Sequence, residues 1–162
     1  MKKILTLLCL ISFVLTFSSC EEKNVEAAKL LEQIRDYYDN NDYQSALEAV
    51  DSLRRTYPEA VAQRKEALVI FQQASLAIAQ QNLAKVDSTL QATETELSVL
   101  KPQVEEHRKQ GMATHEELQH YNKLRAYRDS LQGIFNMECA KIKYIHKRQA
   151  ENEAVENASN EK

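Results

Sequence analysis

The chain is predicted to be all-α, a short helix pair continuing into a long antiparallel two-helix coiled-coil arm. Three observations predict this. Two glycines, two prolines and no tryptophan in 162 residues leave too little turn punctuation for a sandwich or an α/β sheet. Apolar residues recur at spacings of three and four through most of the chain after residue 25. From Leu76 onward that recurrence tightens into heptads, which are the mark of helix pairing along a seam.

The first helix pair occupies a base spanning residues 25–75. Leu30, Leu31, Ile34, Tyr37 and Tyr38 form one stripe, and Asn40-Asn41-Asp42 breaks it and can cap the next helix. Ala46, Leu47, Val50 and Leu53 form a second stripe. Thr56-Tyr57-Pro58-Glu59 closes it and also reads as a capping box opening a third helix, with Pro58 in the first turn.

The arm spans residues 76–149. With Leu76 at position a, the a sites are Leu76, Leu83, Leu90, Leu97 and Val104, and the d sites are Ala79, Val86, Thr93, Leu100 and His107. Eight of these ten sites are apolar, over more than four heptads. Pro102 falls on the outer face, where it should kink the helix or mark a break and leave the seam intact. A turn is expected near 108–114: Gly111 suits a helix end, and Thr114 with Glu117 spells a capping box for the returning helix. That helix carries Leu118, Tyr121, Leu124, Leu131, Ile134, Phe135, Ile142 and Ile145, a stripe wider than a strict seam. Folding at Gly111 makes antiparallel partners sum to about 222. Leu97 then meets the region of Leu124, Leu90 meets Leu131, and Leu76 meets Ile145. Some 33 residues at about 1.5 Å each give an arm of roughly 50 Å, and the returning end from Cys139 to Ile145 should pack near the base. Residues 150–162 lack apolar periodicity and are expected to be a disordered polar tail.

The first twenty residues have a different character. Lys2 and Lys3 precede an apolar run from Ile4 to Phe17, the length of a signal-peptide core and short for a membrane span. Phe17-Ser18-Ser19-Cys20 resembles the lipobox of bacterial lipoproteins, with Phe17 standing where an aliphatic residue is usual. The resemblance implies cleavage of residues 1–19, attachment of lipid (diacylglyceryl and acyl chains such as palmitate) at Cys20, and a lipidated tether over residues 20–24. It also implies a location in the cell envelope of a Gram-negative bacterium; the periplasmic side of the outer membrane is the expectation, with the inner membrane as the alternative.

Within the base, Tyr37…Asp42-Tyr43…Ala46…Leu53…Tyr57-Pro58 resembles one tetratricopeptide (TPR) repeat. Tyr37 falls at its aromatic position, Ala46 at the small position where its helices cross, and Pro58 at its terminal proline. Ile34 replaces the expected small residue and Asn41 the turn glycine. The resemblance covers about 34 residues. A second repeat fails, because Gln80 stands where its alanine belongs. One repeat builds no stacked concave groove, so peptide capture by such a groove is not expected.

Chemistry-bearing patterns are sparse. Without Lys2 and Lys3 the basic count falls from 21 to 19 against 24 acids, a charge of about −5 that offers no footprint for nucleic acid. His115 and His120 are five apart, whereas a zinc-binding helix pair needs four, so no metal site is expected. Lys141, Lys143, His146, Lys147 and Arg148 form a basic cluster that fits either anionic headgroups or a cation-rich last helical turn. Asp51-Ser52-Leu53, Asp87-Ser88-Thr89 and Asp129-Ser130-Leu131 resemble O-glycosylation acceptors of some Gram-negative bacteria, although all three fall in expected helices. Cys139 reads as a packed thiol.

No catalytic residue and no cofactor site is expected, and a helical hairpin offers surface rather than a cleft. The expectation is therefore a non-enzymatic, membrane-anchored scaffold or protein-interaction adaptor with an unidentified envelope partner. The second expectation is a structural lipoprotein that self-associates as a homodimer through its arm.

Overall fold

A computed structural model of the chain describes residues 23–160. These residues form four helices and the short turns between them: α1 (residues 23–39), α2 (Tyr43–Thr56), α3 (Val61–Lys109) and α4 (His115–Asn160). The protein is all-α, as expected. Two compact units divide inside α3, between Ser75 and Leu76. Among the described residues no helix is long and apolar enough to cross a membrane.

In the first unit, α1 ends where Asn41 turns left-handed, at φ 61°. The Asn41 N–H bonds the Tyr38 carbonyl and the Asp42 N–H bonds the Tyr37 carbonyl, both at 2.9 Å, which closes a Schellman motif. Asn41 thus performs the role a turn glycine would, and its amide oxygen accepts the Tyr43 hydroxyl at 2.7 Å. Asp42 then caps α2 by accepting the Ser45 N–H at 3.2 Å.

Ala27, Leu31, Ile34, Val50, Leu53, Ala60, Ala67 and Ile70 make the core of this unit. It takes side chains from α1, α2 and the first turns of α3. Ile34, Leu53 and Val50 are its largest fully buried side chains, each contributing about 1.5–3 kcal/mol of apolar burial. Ala46 is also fully buried. Around the core, Arg35 of α1 pairs with Glu66 of α3, and the Tyr57 hydroxyl donates to Glu26 Oε2 at 3.0 Å.

The link from α2 to α3 differs from the expected capping box. Thr56 is the last residue of α2, Pro58 and Glu59 form a turn, and α3 begins at Val61 after the buried Ala60. The Ala60 N–H bonds the Tyr57 carbonyl at 3.1 Å, so the chain turns once more before the helix starts. Burial of Ala60 sets that entry point and outweighs the side-chain signal of Thr56.

The second unit is an antiparallel hairpin. Nine of the ten heptad sites in α3 are buried or half-buried, and only His107 is exposed. Thr93 is tolerated in the seam because its hydroxyl donates to the Thr89 carbonyl at 2.8 Å, leaving no unsatisfied donor. Pro102 lies inside α3 on the exposed side, and the helix continues through it to Lys109. Gly111, at φ 68°, ends the helix with a second Schellman motif: Gly111 N–H to Arg108 carbonyl at 3.2 Å, Met112 N–H to His107 carbonyl at 2.8 Å. Thr114 caps α4 by accepting the Glu117 N–H at 3.2 Å. Glu117 does not complete the expected box, because its carboxylate reaches across to His107 Nδ1 at 2.8 Å. Glu96 and His120, at 3.4 Å, make a second contact between the two helices; the two pairs sum to 224 and 216, on either side of the 222 expected of the antiparallel register.

Two further expectations change, and one sharpens. Lys23 and Asn24, assigned to the tether, are already helical. Ile134, one of the wide apolar stripe of the last helix, lies on its exposed side. Residues 150–160, expected to be disordered, continue α4 to Asn160. Ala150, Glu151, Glu153 and Ala154 are strong helix formers, and Lys147 and Arg148 both pair with Glu151.

Candidate functional site

The one residue predicted to carry a modification, Cys20, lies outside the described residues, as do the signal segment 1–19 and the start of the tether. The described part of the molecule offers helix faces and shallow concavities, and the arm carries the most informative of them.

The seam of α4 passes through Glu117, Tyr121, Leu124, Arg128, Leu131, Phe135, Glu138, Ile142, Ile145, Gln149 and Asn152, all buried or half-buried. The spacing alternates strictly between four and three, so this is a true heptad seam with polar residues set into it. Glu138 is the extreme case, at 3% exposure. Its Oε1 accepts the Lys141 ammonium at 2.7 Å, while Oε2 has no hydrogen-bond partner among the described residues. A carboxylate oxygen desolvated in this way costs about 1–3 kcal/mol. Sequence reasoning passed over Glu138 and Arg128 because both are charged. Interpolating sevens from Leu124, Leu131 and Ile145 lands on Glu138, which is the signal that could have found it.

With the seam occupied by α3, an outer face of α4 remains open. Tyr127, Ile134, Met137 and Tyr144 are 51%, 37%, 49% and 63% exposed. Nearer the turn, His115, Leu118, Gln119, Asn122, Lys123 and Ala126 line a shallow concavity of about 530 Å³.

Two concavities are formed by described residues of the first unit. One, of about 360 Å³, is lined by Arg54, Val61, Arg64, Lys65 and Leu68. Its cations are engaged in the fold: Arg54 stacks over the Phe71 ring at 4.6 Å, and Arg64 donates to the Pro58 carbonyl at 2.6 Å. The other, of about 530 Å³, brings Lys23 and Asn24 of α1 beside Arg55, Tyr57 and Glu59. The Tyr57 phenol there is held above its usual range, chiefly by donating to Glu26, then by desolvation and by the nearby negative charge.

The histidines do not converge: His120 pairs with Glu96, and among the described residues no group of three or more His, Cys, Asp or Glu side chains could hold a metal ion. The basic cluster is partly neutralised within α4, where Lys141 pairs with Glu138, and Lys147 and Arg148 with Glu151. It is also not a last turn, since α4 runs on to Asn160. Cys139 is a free, half-buried thiol. Ser52, Ser88, Thr89 and Ser130 of the three Asp-Ser motifs are all helical.

No protein-family model matches the chain, and no curated protein or solved structure matches it.

Proposed function

We propose that this chain is a lipid-anchored protein of the Gram-negative cell envelope that works as a non-enzymatic helical scaffold or adaptor. The observation that carries the reading is the N-terminal stretch: two lysines, an apolar run of signal-peptide length, and Phe17-Ser18-Ser19 directly before Cys20. Acylation of Cys20 would hold the TPR-like helix pair at the membrane surface. The arm would present helix faces to an envelope protein, by helix-in-groove or coiled-coil contact. The concavity around Leu118, Asn122 and Ala126 is the first place to look for that contact.

Two measurements test it. Wild-type protein should take up labelled palmitate and fractionate with membranes, and Cys20→Ala should lose the label and become soluble. Membrane retention of Cys20→Ala would sink the anchor. Photo-crosslinkers placed at Gln119 and Asn122 in cells should trap one defined envelope protein; recovery of nothing specific would count against the adaptor role.

A further inference from the structure

We propose that the outer face of α4 between Tyr127 and Tyr144 is a homodimer interface, on which a second copy of this chain packs antiparallel about a two-fold axis. The proposal does not depend on the lipid anchor or on the adaptor contact near the turn.

Four large apolar side chains share this face, and their spacing is the first argument. Tyr127 and Ile134 are seven apart, Ile134 and Met137 three, Met137 and Tyr144 seven. Ser130 and Lys141 fill the two remaining places of a second heptad stripe, offset around the helix from the seam that α3 covers. This series reads the same in both directions about its midpoint between residues 135 and 136. An antiparallel two-fold therefore lays the stripe on itself. Tyr127 meets Tyr144 of the second copy, Ser130 meets Lys141, and Ile134 meets Met137, each contact made twice. Every heptad stripe has that alternation; what the two-fold adds here is a match of side chains, tyrosine on tyrosine and isoleucine on methionine, which a second copy supplies.

Area is the second argument. From their exposures the four side chains offer roughly 400 Å² per chain. The surface between and beside them is small: Ala126, Gly133 and Ala140 lie along one edge, all exposed. A Cβ built on Gly133 meets nothing within 4 Å, so no contact inside the chain calls for a glycine at this exposed helical position. A second helix backbone drawn close would use that space. With these residues added, the pair clears the roughly 1,000 Å² total that separates a specific interface from a chance contact. It stays well short of an obligate dimer, so the association is reversible.

Charge sets its limits. Continuing the same pairing outward places Lys123 opposite Arg148, and like charges there end the zipper at the two tyrosine layers. Lys141, the one charge inside, faces Ser130 and is already paired with Glu138.

The test uses the full-length chain. Sedimentation equilibrium should show a monomer–dimer equilibrium, and Ile134→Asp should weaken it at least about tenfold while the dilute monomer keeps its helical circular dichroism. A chain carrying Tyr127→Cys mixed with an isotope-labelled chain carrying Tyr144→Cys, both with Cys9, Cys20 and Cys139 replaced by Ser, should give the 127–144 disulfide between chains on mild oxidation. Disulfides 127–127 and 144–144 in its place, the mark of a parallel pair, would overturn the proposal. So would a strict monomer up to on the order of 100 µM, an Ile134→Asp chain that still dimerises normally, or in-cell crosslinks from 127 and 144 that reach only a different protein.

Discussion

Replacing Glu138 with leucine should stabilise the arm. The wild-type carboxylate occupies a seam position at 3% exposure, with one oxygen held by Lys141 and the other unpaired. Removing it relieves about 1–3 kcal/mol of uncompensated desolvation. A leucine in the same place adds up to about 1.5–3 kcal/mol of apolar burial. The loss is the Lys141 contact, and because that lysine is about half exposed it regains water, at a cost of about 1 kcal/mol or less. These terms sum to about 1.5–6 kcal/mol as an upper bound, and the expected gain is about 1–4 kcal/mol, the range seen when hydrophobic residues replace buried ionic groups. Hydrogen exchange is the right assay, because two units sharing one chain need not unfold as one transition. Amides of residues 131–145 should exchange more slowly in Glu138→Leu, and the urea midpoint should rise. Glu138→Gln, which keeps an acceptor for Lys141 and drops the charge, should fall between. Faster exchange in both variants would refute the argument, since it would mean that the carboxylate is satisfied in the fold and holds the seam together.

Three other outcomes are expected. Asn41→Ala forces an ordinary residue into the left-handed conformation that closes α1, at about 1–2 kcal/mol; thermal unfolding should show that loss, and Asn41→Gly should avoid most of it. Ala46→Leu overfills a fully buried position and should destabilise the first unit by about 1–3 kcal/mol by urea unfolding. Glu26 holds the Tyr57 phenol above its ordinary value near 10, so its contribution is present below that value and lost as pH rises through the folded value. Ultraviolet titration should therefore show Tyr57 ionising late, and Tyr57→Phe or Glu26→Gln should abolish that late phase.

The α3 seam was legible in the sequence because leucine, valine and alanine fill its heptads almost without interruption. Thr93 was placed correctly, and its hydroxyl is satisfied by its own helix. The α4 seam was blurred because Arg128, Glu138, Gln149 and Asn152 sit in it. Counting only apolar residues widened the stripe until it took in Ile134, which faces outward. The turn at Gly111 was legible because one glycine and one threonine spell its two ends. The start of α3 was not, since the burial of Ala60, a tertiary effect, decides it over the local signal of Thr56. The continuation of α4 past 150 was hidden for the opposite reason, as helix propensity and local ion pairs sustain it without an apolar stripe. Of the candidate site, the cysteine proposed for acylation is read from its neighbours alone, and the outward face of α4 became visible only when burial separated seam from surface.

The Schellman turn at Gly111 also sets a kinetic order. The His107–Glu117 contact closes a loop of ten residues, and each pair farther down the arm closes a longer one. Loop-closure entropy favours the shortest first and then rises only slowly, by about 0.6 kcal/mol per doubling. The arm should thus zip from its turn toward its open end. Synthesis runs the other way along α3, so its entire apolar edge exists before the first residue of α4 is made. During that interval the seam is an acceptor for any suitable helix, and a partner that needs it has to arrive before the chain supplies its own.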